Sequence, residues 1–307
     1  MTAAWVASGV RARAMARRRL GREGVATLAA SPSFDDALSL LAGSTYGHDV
    51  QPGQGLAEAQ RAVVATTLWN LRVLAGWTPR EGVTMLRVLV AGLEIANTLD
   101  HLVTLDGVAA PPPYRLGGLA TAWDRIRQAT SPASVRQVLA TSPWDDPGAE
   151  THRAISLHLR VSLADRVIAA VPEAADWAAA ATVLLVARET IAAGRELPAG
   201  ARAAAARVLG PDVGTARTLS ELVGRVPSGA RRALEGVEDP DDLWEAEARW
   251  WARLDREGAA LARRPVAGRP SIVGATALLA VDAWRVRAAL ELAARGRGST
   301  EVLHAVA

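Results

Sequence analysis

The sequence predicts an all-α protein of roughly a dozen or more helices, and three observations carry that prediction. Strand signals are scarce, since β-branched alternations are few and the chain has one phenylalanine and two tyrosines. Alanine, leucine, arginine and glutamate dominate the composition, and all four are good helix formers. Capping residues precede proline, as at helix starts, in Ser31-Pro32, Thr78-Pro79, Ser131-Pro132 and Asp239-Pro240. Gly/Pro-rich breaks fall at 51–55, 107–118, 194–200, 210–214, 227–229 and 265–270.

The composition is that of a globular chain with a large core. Its 307 residues are 50% hydrophobic and 22% charged, and this length permits one large domain or a few small ones. A formal net charge of only +3 argues against a dedicated DNA-binding protein, which needs a concentrated excess of positive charge. The absence of cysteine excludes disulfides, thiolate catalysis and Cys-ligated zinc or iron–sulfur sites.

The sequence also predicts where the chain resides. Its N-terminus lacks a hydrophobic segment followed by a small-residue cleavage site, so we expect no signal peptide. The longest apolar run, Trp177 to Ala187, has about half the length that a bilayer span requires. We therefore expect a soluble, intracellular protein, which is still compatible with a place on a membrane complex.

The opening segment, WVASGVRARAMARRRLGRE at residues 5–23, has a helical pattern. Its small and apolar side chains form one narrow stripe, made of Trp5, Gly9, Ala12, Ala16 and Leu20. Its arginines occupy most of the remaining circumference: Arg11, Arg13, Arg17, Arg18, Arg19 and Arg22. A groove-reading or lipid-facing helix would gather its charges on one face, so this pattern favours a packed structural helix over a nucleic-acid or lipid contact.

The last long helix has a cleaner amphipathic pattern. Its predicted buried face contains Ile272, Ala275, Leu279, Ala283, Val286, Leu290 and Ala293. Arg285, Arg287 and Glu291 lie off that face. We expect this helix to pack against other helices.

Two short segments align without gaps and indicate duplicated helical units. SLLAGSTYG at 39–47 and QVLATSPWD at 137–145 each follow a Ser-Pro helix start. The alignment pairs Leu41 with Leu139, Ser44 with Ser142, and Tyr46 with Trp144. A helix that ends in small polar residues and an aromatic, repeated about a hundred residues apart, is typical of a repeat protein.

Motifs that would carry chemistry are weak. DPDDLWE at 239–245 places Asp241, Asp242 and Glu245 at a spacing similar to the magnesium–diphosphate site of terpene synthases. The second metal motif and the aromatic pocket of that family are missing, so we interpret the string as a helix N-terminus with acids in its first turn. The other acidic pair, Asp145-Asp146 before Pro147, is predicted to be a turn.

Other candidate sites also lack the spacing that their chemistry needs. No pair with metal-ligand spacing occurs among the histidines His48, His101, His152, His158 and His304. The glycine pairs Gly53-Gln54-Gly55 and Gly296-Arg297-Gly298 are isolated, and no nucleophile elbow, Walker loop or dinucleotide pattern is present. The run Pro111 to Tyr114 is interpreted as a stiff link rather than a ligand for a proline-reading domain. We therefore assign no catalytic, cofactor-binding or metal-binding residue.

An ordered series of motifs connects these features. RARAM at 11–15 follows Trp5 and Gly9; a helix end spans 41–46; EIAN occupies 94–97. RLGGLATAWDRI at 115–126 and LATSPW at 139–144 come next, followed by Asp282, Val286 and Arg287 and the trailing GRGSTEVLHAV at 296–306. In order and spacing the series resembles the C/d-type connector family of V-type (A/V-type) ATPases, which joins the central stalk to the proteolipid ring, over roughly 4–50, 66–147 and 265–307. The chain resembles a divergent member, with Val281-Asp282 where the family has Lys-Glu.

The resemblance implies a multi-helix funnel built from three pseudo-equivalent helical units, approximately 1–90, 91–190 and 191–307. It implies a non-catalytic rotor subunit, bound peripherally on the cytoplasmic face of the membrane, that needs no cofactor. Its partners would be the central-stalk subunits and the proteolipid (c/K) ring, with no nucleic acid and with membrane contact only through the complex. Such a subunit transmits torque and so couples ATP synthesis or hydrolysis to proton or sodium transport.

Three other functions remain open. A helical-repeat scaffold or regulator unrelated to the ATPase would not need the ordered motifs at both ends of the chain. A helical DNA-binding regulator would need a compact helix-turn-helix with a basic second helix, and an enzyme would need the missing second metal motif. The rotor subunit is the interpretation that uses the most of the sequence.

Overall fold

The computed structural model describes residues 3–296, and this part of the chain is helical with no strand. The predicted all-α fold class is confirmed. The first helices are α1 Ala3–Arg17, α2 Gly21–Ala29, α3 Phe34–Ala42, α4 Leu56–Ala75, α5 Arg80–Leu89 and α6 Gly92–Leu105. The middle of the chain forms α7 Trp123–Ile126, α8 Pro132–Ala140, α9 His152–Ala170, α10 Ala175–Ala187 and α11 Ala199–Leu209. The remainder forms α12 Leu219–Arg225, α13 Ser228–Arg231, α14 Leu243–Ala262 and α15 Arg269–Arg295.

At two of the four predicted helix starts the residue before proline is confirmed as a cap. The Ser131 hydroxyl accepts the backbone N–H of Ser134 and caps α8, and Asp239 accepts the N–H of Asp241 in the 3₁₀ turn that leads into α14. The prediction is wrong for Ser31, because Ser33 caps α3 through the N–H of Asp36. A helix also starts directly after Thr78-Pro79, since α5 begins at Arg80, and the Thr78 hydroxyl donates to the carbonyl of Leu74 (2.7 Å) at the end of α4.

The chain divides into two compact units by contacts between its residues. Unit 1 contains residues 1–83 and 251–307, and unit 2 contains residues 84–250. The N-terminal helices and the C-terminal helix therefore belong to the same unit. The finer division into three units arranged as a funnel stays a prediction.

The core of unit 1 is built by α2, α3, α4 and α15. Leu28, Leu38 and Leu41 are completely buried there, and from α15 Val286 and Leu290 are buried against them. Helices at the start of the chain thus share one core with the last helix.

Two hydrophobic cores lie in unit 2. The first joins α6, α7, α8 and α9 around Leu102, Ile126 and the fully buried Trp144. The second joins α9 to α14 around Val183, Leu222 and neighbouring side chains. Because α9 contributes to both cores, it is the central helix of this unit.

The opening helix packs as predicted but is shorter than its sequence pattern. Gly9, Ala12 and Ala16 are buried in α1, and a Cβ added to Gly9 would lie 2.4 Å from the backbone nitrogen of Gly268. The small residues of the stripe therefore allow close backbone contact, which confirms a packed structural helix. The helix ends at Arg17, so Leu20 belongs to the turn before α2.

The last helix is buried on more sides than the amphipathic pattern indicates. Ile272, Ala275, Leu279, Ala283, Val286 and Leu290 are buried as predicted. Gly274, Asp282 and Arg285 are buried as well, and Arg285 is only 4% exposed. Helix α15 is therefore a central element of unit 1 rather than one of its surface helices.

Among the described helices no single one has the length and hydrophobicity to cross a membrane. One bent pair, Arg80–Leu89 with Gly92–Leu105, passes that test by length and composition only.

Candidate functional site

The acidic side chains of the 239–245 string make contacts at the start of their own helix. Asp241, Asp242 and Glu245 are exposed at the start of α14, where Glu245 pairs with Arg249 (3.4 Å). No group of three or more His, Asp or Glu side chains within residues 3–296 is arranged to hold a metal ion. This geometry supports the helix N-terminus interpretation of the 239–245 string.

The pair Asp145-Asp146 is a turn, as predicted. Asp145 has a φ of 64°, and Asp146 accepts the backbone N–H of Gly148 (2.9 Å). The guanidinium of Arg136 donates two hydrogen bonds to the Asp146 carboxylate, at 2.8 and 3.0 Å. These bonds, with that of Gly148, lower the pKa of Asp146 to about 2. The second acid of this pair is thus held as a charged turn residue.

The described histidines are dispersed. His48 stacks on Trp69 with ring centroids 4.2 Å apart, His101 contacts the carbonyl of Ala129 (2.9 Å), and His152 pairs with Asp106 (3.2 Å). His158 is buried, and its Nε2 donates to the carbonyl oxygen of Trp144 (2.7 Å). His304 lies outside the described residues, as does most of the segment 296–306.

In unit 1, hydrogen-bond donors from two other segments surround the carboxylate of Asp282, which is 2% exposed. Its oxygens accept the backbone N–H groups of Leu20 (3.0 Å) and Gly21 (2.8 Å), at the start of α2. They also accept the phenol O–H of Tyr46 (2.9 Å). Three donors from two distant segments therefore meet one carboxylate on α15, and we call this arrangement the first junction.

Unit 2 contains the same arrangement around Glu94 of α6, which is 1% exposed. The Glu94 oxygens accept the consecutive backbone N–H groups of Thr121 (2.5 Å) and Ala122 (2.8 Å), just before α7. They also accept the indole N–H of Trp144 (2.8 Å). We call this arrangement the second junction.

The two junctions agree beyond the carboxylate. Ser44 and Ser142 each donate to the carbonyl three residues earlier (2.6 and 2.7 Å) and accept the N–H of the aromatic two residues later (3.2 Å in both). The carbonyl of Tyr46 accepts the Thr66 hydroxyl (3.2 Å), and that of Trp144 accepts the Ser162 hydroxyl (3.0 Å). The predicted equivalence of 39–47 and 137–145 is therefore confirmed as a repeated structural element.

Burial and a neighbouring negative charge keep the Tyr46 phenol of the first junction protonated. Burial, and then the adjacent Asp282 carboxylate, raise the pKa of Tyr46 well above its ordinary value. The phenol is therefore a hydrogen-bond donor throughout the physiological pH range. A phenol whose pKa is raised stays protonated and suits a permanent hydrogen bond.

The second junction carries an additional cation. The guanidinium of Arg166 lies over the Trp144 ring, 4.4 Å from the centroid, and donates to the Thr121 hydroxyl (3.2 Å). Burial lowers the pKa of Arg166 from its ordinary value, and the charge of Glu94 acts in the opposite direction. Thr66 of the first junction corresponds to Ser162 of the second. Arg166 follows Ser162 at the same spacing as Asn70 follows Thr66, so Asn70 is the residue of unit 1 that corresponds to Arg166.

Asn97, the last residue of the EIAN motif, also has a structural role. Its side-chain amide donates to the carbonyl of Tyr114 (2.9 Å), and its carbonyl accepts the Tyr114 N–H (2.7 Å). This pair attaches the proline run 111–113 to α6, which agrees with its interpretation as a stiff link. Glu94 and Asn97 of the EIAN motif are thus both buried and bonded to backbone groups.

A second ionic cluster lies inside unit 1. Asp255 of α14 pairs with the buried Arg285 (3.0 Å) and with the exposed Arg22 (3.2 Å). Burial alone would raise the pKa of Asp255, but the two guanidinium groups hold it below its ordinary value. This pair explains why an arginine is accommodated on a buried face of α15.

We expect Asp255→Asn to lower the free energy of unfolding at pH 7 by about 2 kcal/mol, since it removes a carboxylate that pairs with the buried Arg285. A lowered acid pKa contributes stability above the unfolded pKa of about 4, and this contribution is lost as the pH falls through the folded pKa. Urea unfolding at pH 7 and at pH 3 measures the effect. The difference between wild type and variant should shrink at pH 3, and an equal difference at both pH values would contradict the assignment.

A cavity of unit 2 has a volume of about 570 Å³ and lies between α6, α9, α10 and α14. Leu99, Leu163 and Trp250 form part of its wall, and charged groups stand among them. Arg188 pairs with Glu247 across the helices of this wall. The wall of the cavity thus combines apolar side chains with charged groups.

Sequence reasoning did not find the junction carboxylates as hydrogen-bond centres. One signal was present: Glu94 and Asp282 are lone acids inside otherwise apolar stretches, AGLEIAN and LLAVDAW. A lone acid at a buried helical position requires hydrogen-bond donors. Their identity could not be read locally, because Tyr46 and Asp282 are 236 residues apart.

Neither a protein-family model nor a curated protein sequence matches this chain.

Proposed function

We propose that the chain is a non-catalytic rotor subunit of a V-type ATPase or ATP synthase. It would link the central stalk to the proteolipid ring on the cytoplasmic face of the membrane and transmit torque for proton or sodium transport. One observation carries the proposal: Tyr46, Glu94, Trp144 and Asp282, which belong to the resembling motifs, are the residues that build the two junctions.

The junctions supply the mechanical property that such a subunit needs. Each carboxylate holds the start of one helix and the end of another through several hydrogen bonds in a dry environment. Bonds of this kind resist displacement because every alternative leaves a buried polar group unpaired. A body with its helix ends fixed in this way transmits torque instead of absorbing it.

The 570 Å³ cavity supplies a surface for the stalk partner. It exposes Arg160 and Arg188 of unit 2 beside apolar side chains. An interface between two proteins that rotate together combines an apolar centre with charged residues that fix the orientation of the two partners. No step of this function requires a catalytic group, a metal or a bound cofactor.

The test is an affinity purification of the tagged chain from detergent-solubilised membranes of a host that makes the complex. Mass spectrometry should find the stalk and proteolipid subunits in amounts matched to the chain. Recovery of the chain without ATPase subunits would contradict the proposal and favour a helical-repeat scaffold or regulator.

A pair of variants locates the stalk surface in the same experiment. Arg160→Glu reverses an exposed charge at the cavity, and Arg127→Glu reverses an exposed charge elsewhere in unit 2. We expect Arg160→Glu to lower recovery of the stalk subunits and Arg127→Glu to leave it unchanged. Equal recovery with both variants would remove the cavity from the interface.

A further inference from the structure

A second cavity, of about 340 Å³, lies within unit 1 beside the first junction. Helices α1, α4 and α15 form its walls together with the segment after α3. The polar side chains that line it include Arg11, Arg18, Arg19, Thr45, Asn70 and Asp282. Its volume is at the small end of the range for ligand-binding pockets.

The charges of this lining do not cancel. Three arginines face one carboxylate, and the Asp282 oxygens are already bonded to Leu20, Gly21 and Tyr46. The formal charge of the lining is therefore +2, from three positive groups and one negative group. A cavity with this excess of guanidinium attracts a dianion.

The arginines have unused donors within the described part of the chain. Nε of Arg11 is buried and has no hydrogen-bond partner, while its guanidinium lies over Trp77, 4.7 Å from the ring centroid. Arg19 donates through Nη1 to the carbonyl of Ala16 (2.7 Å), which leaves its remaining N–H groups for a ligand. Arg18 is exposed at the mouth of the cavity.

The two junctions differ in what lies beside the aromatic side chain. In unit 2 the guanidinium of Arg166 covers the aromatic of the junction. The corresponding residue of unit 1, Asn70, is short and neutral, and its amide donates to the carbonyl of Thr66 (3.1 Å). Tyr46, which has no such guanidinium over its ring, forms part of the cavity lining with Arg11 of α1 and with Arg18 and Arg19 of the turn that follows α1.

We propose that this cavity binds a phosphate monoester group through Arg11, Arg18 and Arg19. A phosphate monoester carries a charge of about −1.5 to −2 near neutral pH, which matches the charge of the lining, whereas a single carboxylate would leave it uncompensated. Its oxygens accept the forked guanidinium donors in pairs. The site is independent of the rotor function, and its ligand is either a free small molecule or a lipid headgroup of the same chemistry.

The full chain is titrated with sn-glycerol 3-phosphate by calorimetry and, in a second arm, mixed with vesicles containing phosphatidate. Saturable binding of the soluble ester supports the proposal and indicates a free ligand. Sedimentation with phosphatidate vesicles, but not with phosphatidylglycerol vesicles, supports it and indicates a headgroup. Absence of binding in both arms overturns it.

Two neighbouring substitutions make the test specific. Arg18→Gln removes one donor from the cavity, and Arg17→Gln removes an exposed arginine of α1 that does not line it. Both side chains are exposed, so we expect both variants to fold, as circular dichroism would verify. Arg18→Gln should weaken binding about tenfold and Arg17→Gln should leave it unchanged. Equal affinities of the two variants would overturn the proposal.

Discussion

Asp282→Ala is expected to lower the free energy of unfolding by about 3–5 kcal/mol, because it leaves three donors, one of them buried and two half-buried, without this acceptor. These donors are the N–H groups of Leu20 and Gly21 and the O–H of Tyr46. The substitution also removes a carboxylate from the N-terminus of α2, where the helix dipole favours negative charge. Because α15 lies at the centre of unit 1, the loss should be felt by the whole unit.

Urea denaturation, followed by tryptophan fluorescence and far-ultraviolet circular dichroism, measures this loss. Tyr46→Phe is the matched comparison, since it removes one of the three hydrogen bonds and keeps the carboxylate. We expect it to cost about 1 kcal/mol. If Asp282→Ala destabilises no more than Tyr46→Phe, the backbone N–H groups are not held by the carboxylate and the first junction is wrong.

The same experiment in unit 2 checks that the junctions are equivalent. Glu94→Ala removes the acceptor of the N–H groups of Thr121 and Ala122 and of the indole N–H of Trp144. We expect a loss similar to that of Asp282→Ala. A loss within about 1 kcal/mol of wild type would show that only one junction contributes to stability.

The local parts of this fold were predictable from the sequence. The stripe of Gly9, Ala12 and Ala16 and the buried face of α15 follow from helical periodicity, which depends on neighbouring residues only. The caps at Ser131 and Asp239 likewise depend on a few consecutive positions. These features need no knowledge of what packs against them.

The sequence predicted the repeated segments around the two junctions but not their hydrogen bonds. The hydrogen-bonding pattern is repeated, whereas the acid and the aromatic residue that form it differ between the units. Unit 1 uses Asp282 with Tyr46, and unit 2 uses Glu94 with Trp144. The two pairs perform the same bonding with different acids and aromatics, so an alignment of identical letters detects only the segments around them. Along the chain, Asp282 follows Tyr46, whereas Glu94 precedes Trp144. Which carboxylate pairs with which aromatic side chain is therefore visible only in the folded unit.

The buried charge of Arg285 shows a further limit of periodicity. Its place off the apolar face of α15 predicted exposure, whereas Asp255 of α14 pairs with it in the interior. A long-range ion pair has no signature in one segment. The 340 Å³ cavity could not be predicted for the same reason, since its arginines lie at 11–19 and its other walls come from α4 and α15.

Gly274→Ala is expected to be the other strongly destabilising change, by about 3 kcal/mol. The helices α14 and α15 approach so closely at this point that a Cβ on Gly274 would lie 2.4 Å from the carbonyl oxygen of Gly258 and 2.6 Å from the nitrogen of Ala262. These are backbone atoms, which cannot rotate away as a side chain does. The helices must separate, and the packing of unit 1 around them is lost.

The matched control is Gly224→Ala in α12, where an added Cβ would meet no atom within 4 Å. Alanine in a helix is more favourable than glycine by about 0.5–1 kcal/mol, so this variant should be slightly more stable than wild type. Opposite signs for the same substitution would establish that contact distance, and not helix propensity, decides the effect. If Gly274→Ala were also stabilising, the close crossing of α14 and α15 would not exist, and the central position of α15 in unit 1 would have to be abandoned with it.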